Sequence, residues 1–143
     1  MKINVFIYSN IHLIIACALI NDRVKNSSET LNINLHISNL IFKNISFIIN
    51  SGFYDFLLKR KNININLTAF STPFPESNIF EKICGLIFNF FSFKNYKSDI
   101  IMIPNFSNLY VLLCLLRIKF KRLIYIDEGM SYISFKRIQK HNQ

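Results

Sequence analysis

Leu123–Tyr132 reads Leu-Ile-Tyr-Ile-Asp-Glu-Gly-Met-Ser-Tyr, an apolar run that gives way at once to two carboxylates and a glycine. Such a run is typical of a parallel strand that helices cover on both faces. Open α/β sheets form their binding clefts at the carboxyl ends of parallel strands, so Asp127 and Glu128 are expected at a cleft rim. Gly129 would permit a sharp exit or the close approach of a ligand. An acidic pair after a strand is also a common loop start or helix cap, and spacing alone leaves both interpretations open.

Three short apolar segments predict neighbouring strands of a mainly parallel sheet: Ile3–Tyr8, Ile100–Ile103 and Leu123–Ile126. A helix over about Leu109–Leu116 would connect the last two strands by the crossover that parallel pairing requires. The sequence therefore predicts an α/β fold, a single Rossmann-like domain over residues 1–143 with helices on both faces of the sheet.

The remaining segments complete this α/β pattern. Leu31–Ile37 alternates apolar and polar residues, which predicts a half-exposed strand near an edge with His36 on the solvent side. Asn62–Thr68 alternates in the same way, and Ile45–Ile49 fits either a strand or a helix. Two further helices are predicted, Phe53–Lys61 and, with Ser77 or Asn78 as its cap, Ile79–Phe91. The phenylalanines of the second helix are expected in the core or on a surface that faces a partner.

Small polar residues follow the first predicted strand. Ser9 and Asn10 are turn and N-cap residues, and they predict a helix from about Ile11 to Asn21. His12 falls in the first turn of that helix, close to the end of the strand. Its ordinary role would be a hydrogen bond to a nearby backbone carbonyl, and its alternative role is in a functional site.

The composition indicates a packed domain with anionic partners. Hydrophobic residues make up 51% of 143 residues, and the formal net charge is +9. Phosphates, nucleotides, acidic glycans, nucleic acid and membrane surfaces all suit a basic chain, but no nucleic-acid-binding motif is present. The cysteines, Cys17, Cys84 and Cys114, form no metal-binding pair and are expected to be buried free thiols.

Tyr125–Gly129, Tyr-Ile-Asp-Glu-Gly, resembles the Asp/Glu-Asp/Glu-Gly motif of bacterial sialyltransferases and polysialyltransferases. That motif closes the first Rossmann-like half of a two-domain GT-B glycosyltransferase, the half that binds the acceptor. The resemblance implies that Asp127 is the general base for the acceptor hydroxyl, with Glu128 as the second choice or as an orienting partner. The start of the chain resembles the same family more loosely, which places Ser9, Asn10 and His12, together with Gly129, in acceptor binding.

In this family a His-Pro motif in the second half assists departure of cytidine monophosphate (CMP), and serine or threonine residues there bind the donor. The printed sequence has no His-Pro dipeptide, and His141 precedes Asn142. The expectation is therefore a fragment without the donor half, inactive alone, whose remainder is encoded downstream or separately. The complete enzyme would transfer sialic acid from CMP–sialic acid to a capsule or lipooligosaccharide acceptor, with no metal and no other cofactor.

The expected partner is a glycan acceptor, and nucleic acid is not expected. The expected location is the cytoplasm, with peripheral association at the inner face of the membrane through the basic surface, since no apolar run reaches the length of a spanning helix. Two alternatives remain: a small basic α/β binding module without catalysis, and a peripheral membrane-surface protein. A His-Pro motif in the downstream DNA would favour the enzyme.

Overall fold

The computed structural model describes residues 1–25, 28–38, 50, 52–72, 76–94, 96–104 and 108–126. Strands and helices alternate along the chain in this order: β1 Lys2–Ile7, α1 Asn10–Lys25, β2 Leu31–Ser38, α2 Gly52–Leu58, β3 Ile63–Phe70, α3 Ile79–Ser92, β4 Lys97–Ile103, α4 Leu109–Arg117 and β5 Lys119–Tyr125. The strands form one five-stranded parallel sheet in the order β3-β2-β1-β4-β5. The predicted α/β fold is confirmed, and so is the adjacency of β1, β4 and β5.

The helices cover both faces of the sheet because alternate strand residues point to opposite sides. On one face Ile3, Val5 and Ile7 of β1 pack with an apolar stripe of α1 and with Leu57 of α2. The stripe of α1 recurs at helical spacing and consists of Leu13, Ala16, Cys17, Ile20 and Val24. On the other face Phe6 packs with residues of β4 and α4 and with Phe93. β1 is buried from both sides, which explains why its sequence after Lys2 is apolar except at Asn4.

Asparagine side chains are the N-caps of α3 and α4. The side chain of Asn78 accepts a hydrogen bond from the backbone N–H of Glu81 at 2.8 Å, and Asn108 accepts one from Tyr110 at 2.9 Å. Each cap satisfies a backbone donor that has no partner within the helix. Asn78 was one of the two predicted caps of α3.

The prediction for β2 and His36 is wrong. β2 lies between β1 and β3 rather than at an edge, and the side chain of His36 is 0% exposed. The rings of Phe93 and Tyr96, which lie between α3 and β4, cover the imidazole with centroids 4.8 and 5.8 Å away. Alternation in the sequence identified the two faces of the strand, but not the aromatic residues that close over one of them.

Two other predictions need correction. The last strand is less covered than its apolar sequence indicated, because β5 ends the described sheet and leaves Tyr125 45% exposed. Cys17 and Cys114 are buried as expected, but Cys84 is exposed on the outer side of α3. Ile45–Ile49 lies outside the described residues. No helix in the part of the chain that the structure describes is long and apolar enough to cross a membrane.

Candidate functional site at the carboxyl edge of the sheet

The order of the strands reverses between β1 and β4. From β1 the chain moves through α1 to β2 on one side, and from β4 it moves through α4 to β5 on the other. Ligands of open α/β sheets bind at such switch points, in the crevice outside the carboxyl ends of the strands. The segment that follows β1 at this place is residues 8–12, so its side chains define the candidate site.

His12 is held against the end of β1. Its side chain is 5% exposed, and its Nδ1 accepts a hydrogen bond from the backbone N–H of Tyr8 at 3.3 Å. The hydroxyl of Ser9 lies 3.2 Å from the same nitrogen. Ser9 also supplies the carbonyl that accepts the backbone N–H of Leu13, at 3.4 Å, and so begins α1. The imidazole thus ties the strand end to the first turn of the helix.

These contacts define the tautomer of His12. A backbone N–H can only donate, so Nδ1 must be the acceptor, and the neutral ring carries its proton on Nε2. In this tautomer the Ser9 hydroxyl donates to Nδ1, and Nε2 carries the ring proton. The described contact of Nδ1 is with a backbone N–H, and the hydrogen bond to a backbone carbonyl that its ordinary role implies stays a prediction.

Tyr8 is a member of this site that the sequence did not single out. Its ring packs edge-on against Phe70 and His12, with centroids 5.4 and 6.1 Å away. Its buried hydroxyl has no hydrogen-bond partner among the described residues. Burial, and to a lesser degree the nearby Cys114 thiol, raises the pKa of Tyr8 far above its usual value, so the phenol stays protonated and can donate. An aromatic residue at the very end of the first strand was the available signal.

β5 reaches the same edge of the sheet. The backbone N–H of Ile126 donates to the carbonyl of Ile103 at 2.8 Å, which continues the β4–β5 ladder past the end of β5. The side chain of Ile126 is 1% exposed. Asp127, Glu128 and Gly129 follow in the sequence, and all three lie outside the described residues.

Of the predicted site residues, the structure therefore brings Ser9 and His12 together. Asn10 is the first residue of α1, and its side chain is not described. The predicted proximity of Asp127 to the turn at Ser9 stays a prediction. Among the described residues no group of histidine, cysteine, aspartate or glutamate side chains could hold a metal ion.

A second polar cluster lies within the sheet and is structural. His36 Nε2 lies 2.7 Å from Asn4 Oδ1, and His36 Nδ1 pairs with the hydroxyl of Thr68. Asn34 donates to the same Asn4 oxygen at 3.1 Å, and Asn66 donates to Asn34. These side chains follow the cross-strand register of β1, β2 and β3. Burial lowers the pKa of His36 to about 3, so this imidazole is neutral.

Comparisons of the chain with protein-family models, with curated proteins and with solved structures found no significant match.

Proposed function

We propose that this chain is the acceptor-binding half of a sialyltransferase-like glycosyltransferase of GT-B type. In the complete enzyme, sialic acid would move from CMP–sialic acid to a glycan acceptor of a capsule or lipooligosaccharide. Ser9, Asn10, His12 and Gly129 would bind the acceptor, and Asp127 would be the general base. Transfer would also require a donor-binding half.

One observation carries the proposal. β1, β4 and β5 are adjacent and parallel, so their carboxyl ends meet at one edge, and the Asp-Glu-Gly motif begins directly after the last described residue there. The Ser9–His12 pair lies at the same edge, beside the switch point. An acidic base and a hydrogen-bonding turn are the two components that activation of an acceptor hydroxyl needs.

The chemistry of each residue follows from its type. A carboxylate at Asp127 would take the proton from the acceptor hydroxyl while that oxygen attacks the anomeric carbon and CMP leaves. Repulsion between the neighbouring carboxylates of Asp127 and Glu128 would raise the pKa of one of them towards the operating pH. His12 would contact the acceptor beside Ser9, whose hydroxyl lies 3.2 Å from its Nδ1.

The test is a fusion of residues 1–143 to a competent donor-binding half, assayed for transfer from CMP–sialic acid to a galactose-terminated acceptor. Asp127→Asn keeps the shape of the side chain and removes the base, so the rate should fall by about 100- to 10,000-fold. Glu128→Gln should reduce the rate less. Asp55→Asn is the matched control, because Asp55 is an exposed carboxylate of α2 far from the proposed site in the sequence, and its rate should not change.

Two results would contradict the proposal. An active Asp127→Asn fusion would remove Asp127 from the role of base. Robust transfer by residues 1–143 without a donor half would refute the assignment of acceptor and donor binding to separate halves. Binding of the acceptor that survives both acid substitutions, with no transfer by any fusion, would favour the binding module without catalysis.

The same proposal locates the protein in the cytoplasm, at the inner face of the membrane. A net charge of +9 favours association with the anionic lipids of that leaflet. An acceptor glycan carried on a lipid would be available there.

A further inference from the structure

The edge opposite the candidate site, where all five parallel strands begin, is strongly basic. We call it the amino edge. Most of the described lysines and arginines lie at the starts of strands or in the residues that lead into them: Lys2, Arg23, Lys25, Lys59, Arg60, Lys61, Lys94, Lys97, Arg117, Lys119 and Lys121. The described acids of this edge are Asp22, Glu29 and Asp99. The positive charge of the described chain is therefore concentrated on one side of the molecule.

Helix dipoles explain only part of this distribution. Helices that precede parallel strands end at the amino edge, and cations stabilise helix C-termini, which accounts for Arg23, Lys25 and Arg117. Lys2, Lys97 and Lys119 lie outside the helices, as the first residues of strands. Their charge needs another explanation.

Lys97 and Lys119 are direct cross-strand partners in the β4–β5 ladder. Like charges in this position destabilise a sheet. The nearby cations are neutralised, since Lys121 pairs with Asp99 at 2.7 Å and the N-terminal amine pairs with Glu29 at 2.9 Å. Lys2, Lys97 and Lys119 have no ion-pair partner among the described residues. An anion between them would remove the repulsion.

Cavities and exposed apolar side chains accompany these lysines. An open cavity of about 390 Å³ is lined by Lys2, Lys97, Lys119, Lys121, Ser98, Asp99 and Phe120. A second cavity of about 230 Å³ shares Lys97 and Lys119 and adds Tyr96, Leu116 and Arg117. Leu116 is 75% exposed and Phe120 is 41% exposed. The amino edge thus combines free cations with two large apolar side chains that lie at the same cavities.

We propose that the amino edge is a docking surface for an anionic membrane. Lipid phosphates would lie between Lys97, Lys119 and Lys2, and Leu116 and Phe120 would enter the boundary between headgroups and acyl chains. A soluble phosphate would fill one cavity, but it would use neither the exposed apolar side chains nor the cations along the rest of an edge about 19 Å wide. A second copy of the chain is disfavoured by the repulsion between two basic edges.

This arrangement directs the carboxyl edge away from the lipid. Strands of six to eight residues separate the two edges by about 20 Å. The inference deepens the proposed membrane location by naming the surface, and it does not depend on sialyl transfer. Its failure would leave the role of Asp127 untouched, because the two are measured by different assays.

The first test is sedimentation of residues 1–143 with vesicles of phosphatidylcholine, with and without phosphatidylglycerol. Binding should require the anionic lipid and should weaken as salt is added. Lys97→Gln and Lys119→Gln should each reduce the partition coefficient by about fivefold. Lys82→Gln removes the same charge from the first turn of α3, outside the amino edge, and should leave the coefficient nearly unchanged because salt screens charges beyond about 8 Å.

The second test reports orientation. The chain contains no tryptophan, so a single introduced indole reports its own surroundings. Leu116→Trp should show a blue-shifted emission with anionic vesicles, whereas Phe80→Trp, at a 71% exposed position of α3, should not. A shift of Phe80→Trp without one of Leu116→Trp would assign docking to α3 and overturn the proposal. Equal sedimentation with neutral vesicles would also overturn it, and so would binding of inorganic phosphate without any vesicle binding.

Discussion

At the scale of single residues, His36 is a titratable side chain enclosed within the fold. Its imidazole is fully buried among aromatic rings, and both ring nitrogens have partners on neighbouring strands. Asn4 Oδ1 accepts the Nε2 proton, so the hydroxyl of Thr68 donates to Nδ1. This network satisfies both nitrogens of the neutral ring, and burial disfavours the charge that a second proton would add.

Stability should therefore depend on pH through His36. Burial lowers its pKa in the folded chain to about 3, against 6.5 for an unperturbed histidine. Between these values the unfolded chain binds a proton that the folded chain does not. The stabilisation is complete above about pH 6.5 and is lost by up to about 1.4 kcal/mol per pH unit as the pH falls. Denaturant unfolding from about pH 7 to pH 5 measures this slope.

His36→Gln is the control for that slope. Glutamine does not titrate, so the variant should lose less stability over the same pH interval, whatever its stability at neutral pH. An identical slope in both proteins would show that His36 does not remain neutral in the folded state.

The sequence identified the strand that carries His36 but assigned the side chain to solvent. Alternation along a strand shows which residues share a face, and it does not show what covers that face. The cover comes from Phe93 and Tyr96, which are more than fifty positions away in the chain. Ser9 and His12 were better predicted because their contacts are local.

At the scale of elements, α3 is inverted relative to an ordinary surface helix. Its apolar residues face outwards, and the ones most exposed are Ile79, Phe80 and Phe91. The residues that it buries are Gly85 and Asn89. Asn89 accepts the backbone N–H of Ser71 at 2.7 Å and donates to the carbonyls of Ser71 and Tyr110. One amide thus joins α3 to the chain after β3 and to the first turn of α4.

This inversion predicts that the polar residue matters more to stability than the aromatic one. Asn89→Ala leaves the part-buried backbone groups of Ser71 without their partner and should lower the free energy of unfolding by about 1–3 kcal/mol. Phe80→Ser should change it by no more than about 0.5 kcal/mol, since the ring is already in water. Chemical denaturation of both variants compares them directly, and the reverse order would refute the packing described for α3.

The helical spacing of the α3 phenylalanines correctly predicted a helix. The apolar face of α3, however, faces away from the sheet. Spacing determines which residues share a helix face, whereas the choice of buried face depends on tertiary contacts. Here the contacts of Asn89 decide it, and no local pattern in the sequence distinguishes this asparagine from the others.

At the scale of the whole molecule, the two edges of the sheet differ in charge for a topological reason. Parallel strands start at one edge, and the residues near the starts of β1, β3, β4 and β5 are basic. The sequence revealed the net charge and the adjacency of three strands, because both follow from composition and short apolar runs. It could not reveal that Lys97 and Lys119 are cross-strand partners with Lys2 at the same cavity, since that depends on strand order and register.

The concentration of positive charge at the amino edge should lower the free energy of unfolding, so the effects of one lysine on docking and on folding should have opposite signs. Lys119→Gln removes one member of the like-charged pair with Lys97, so the free energy of unfolding should rise by up to about 1 kcal/mol at low salt. The gain should shrink as ionic strength increases, because the repulsion is then screened.

Lys121→Gln is the matched control, two residues further along the same strand. It breaks the pair with Asp99, whose carboxylate has its pKa lowered by the hydrogen bond from Lys121, and it should not stabilise the chain. Urea unfolding of the unsubstituted chain and of both variants at two salt concentrations gives the four changes in the free energy of unfolding. If Lys119 serves docking at the expense of stability, the variant protein should be more stable than the original and should bind vesicles less. If Lys119→Gln is destabilising at low salt, the contact between Lys97 and Lys119 is not repulsive. Lys119 would then stabilise the fold rather than form part of an anion-binding surface.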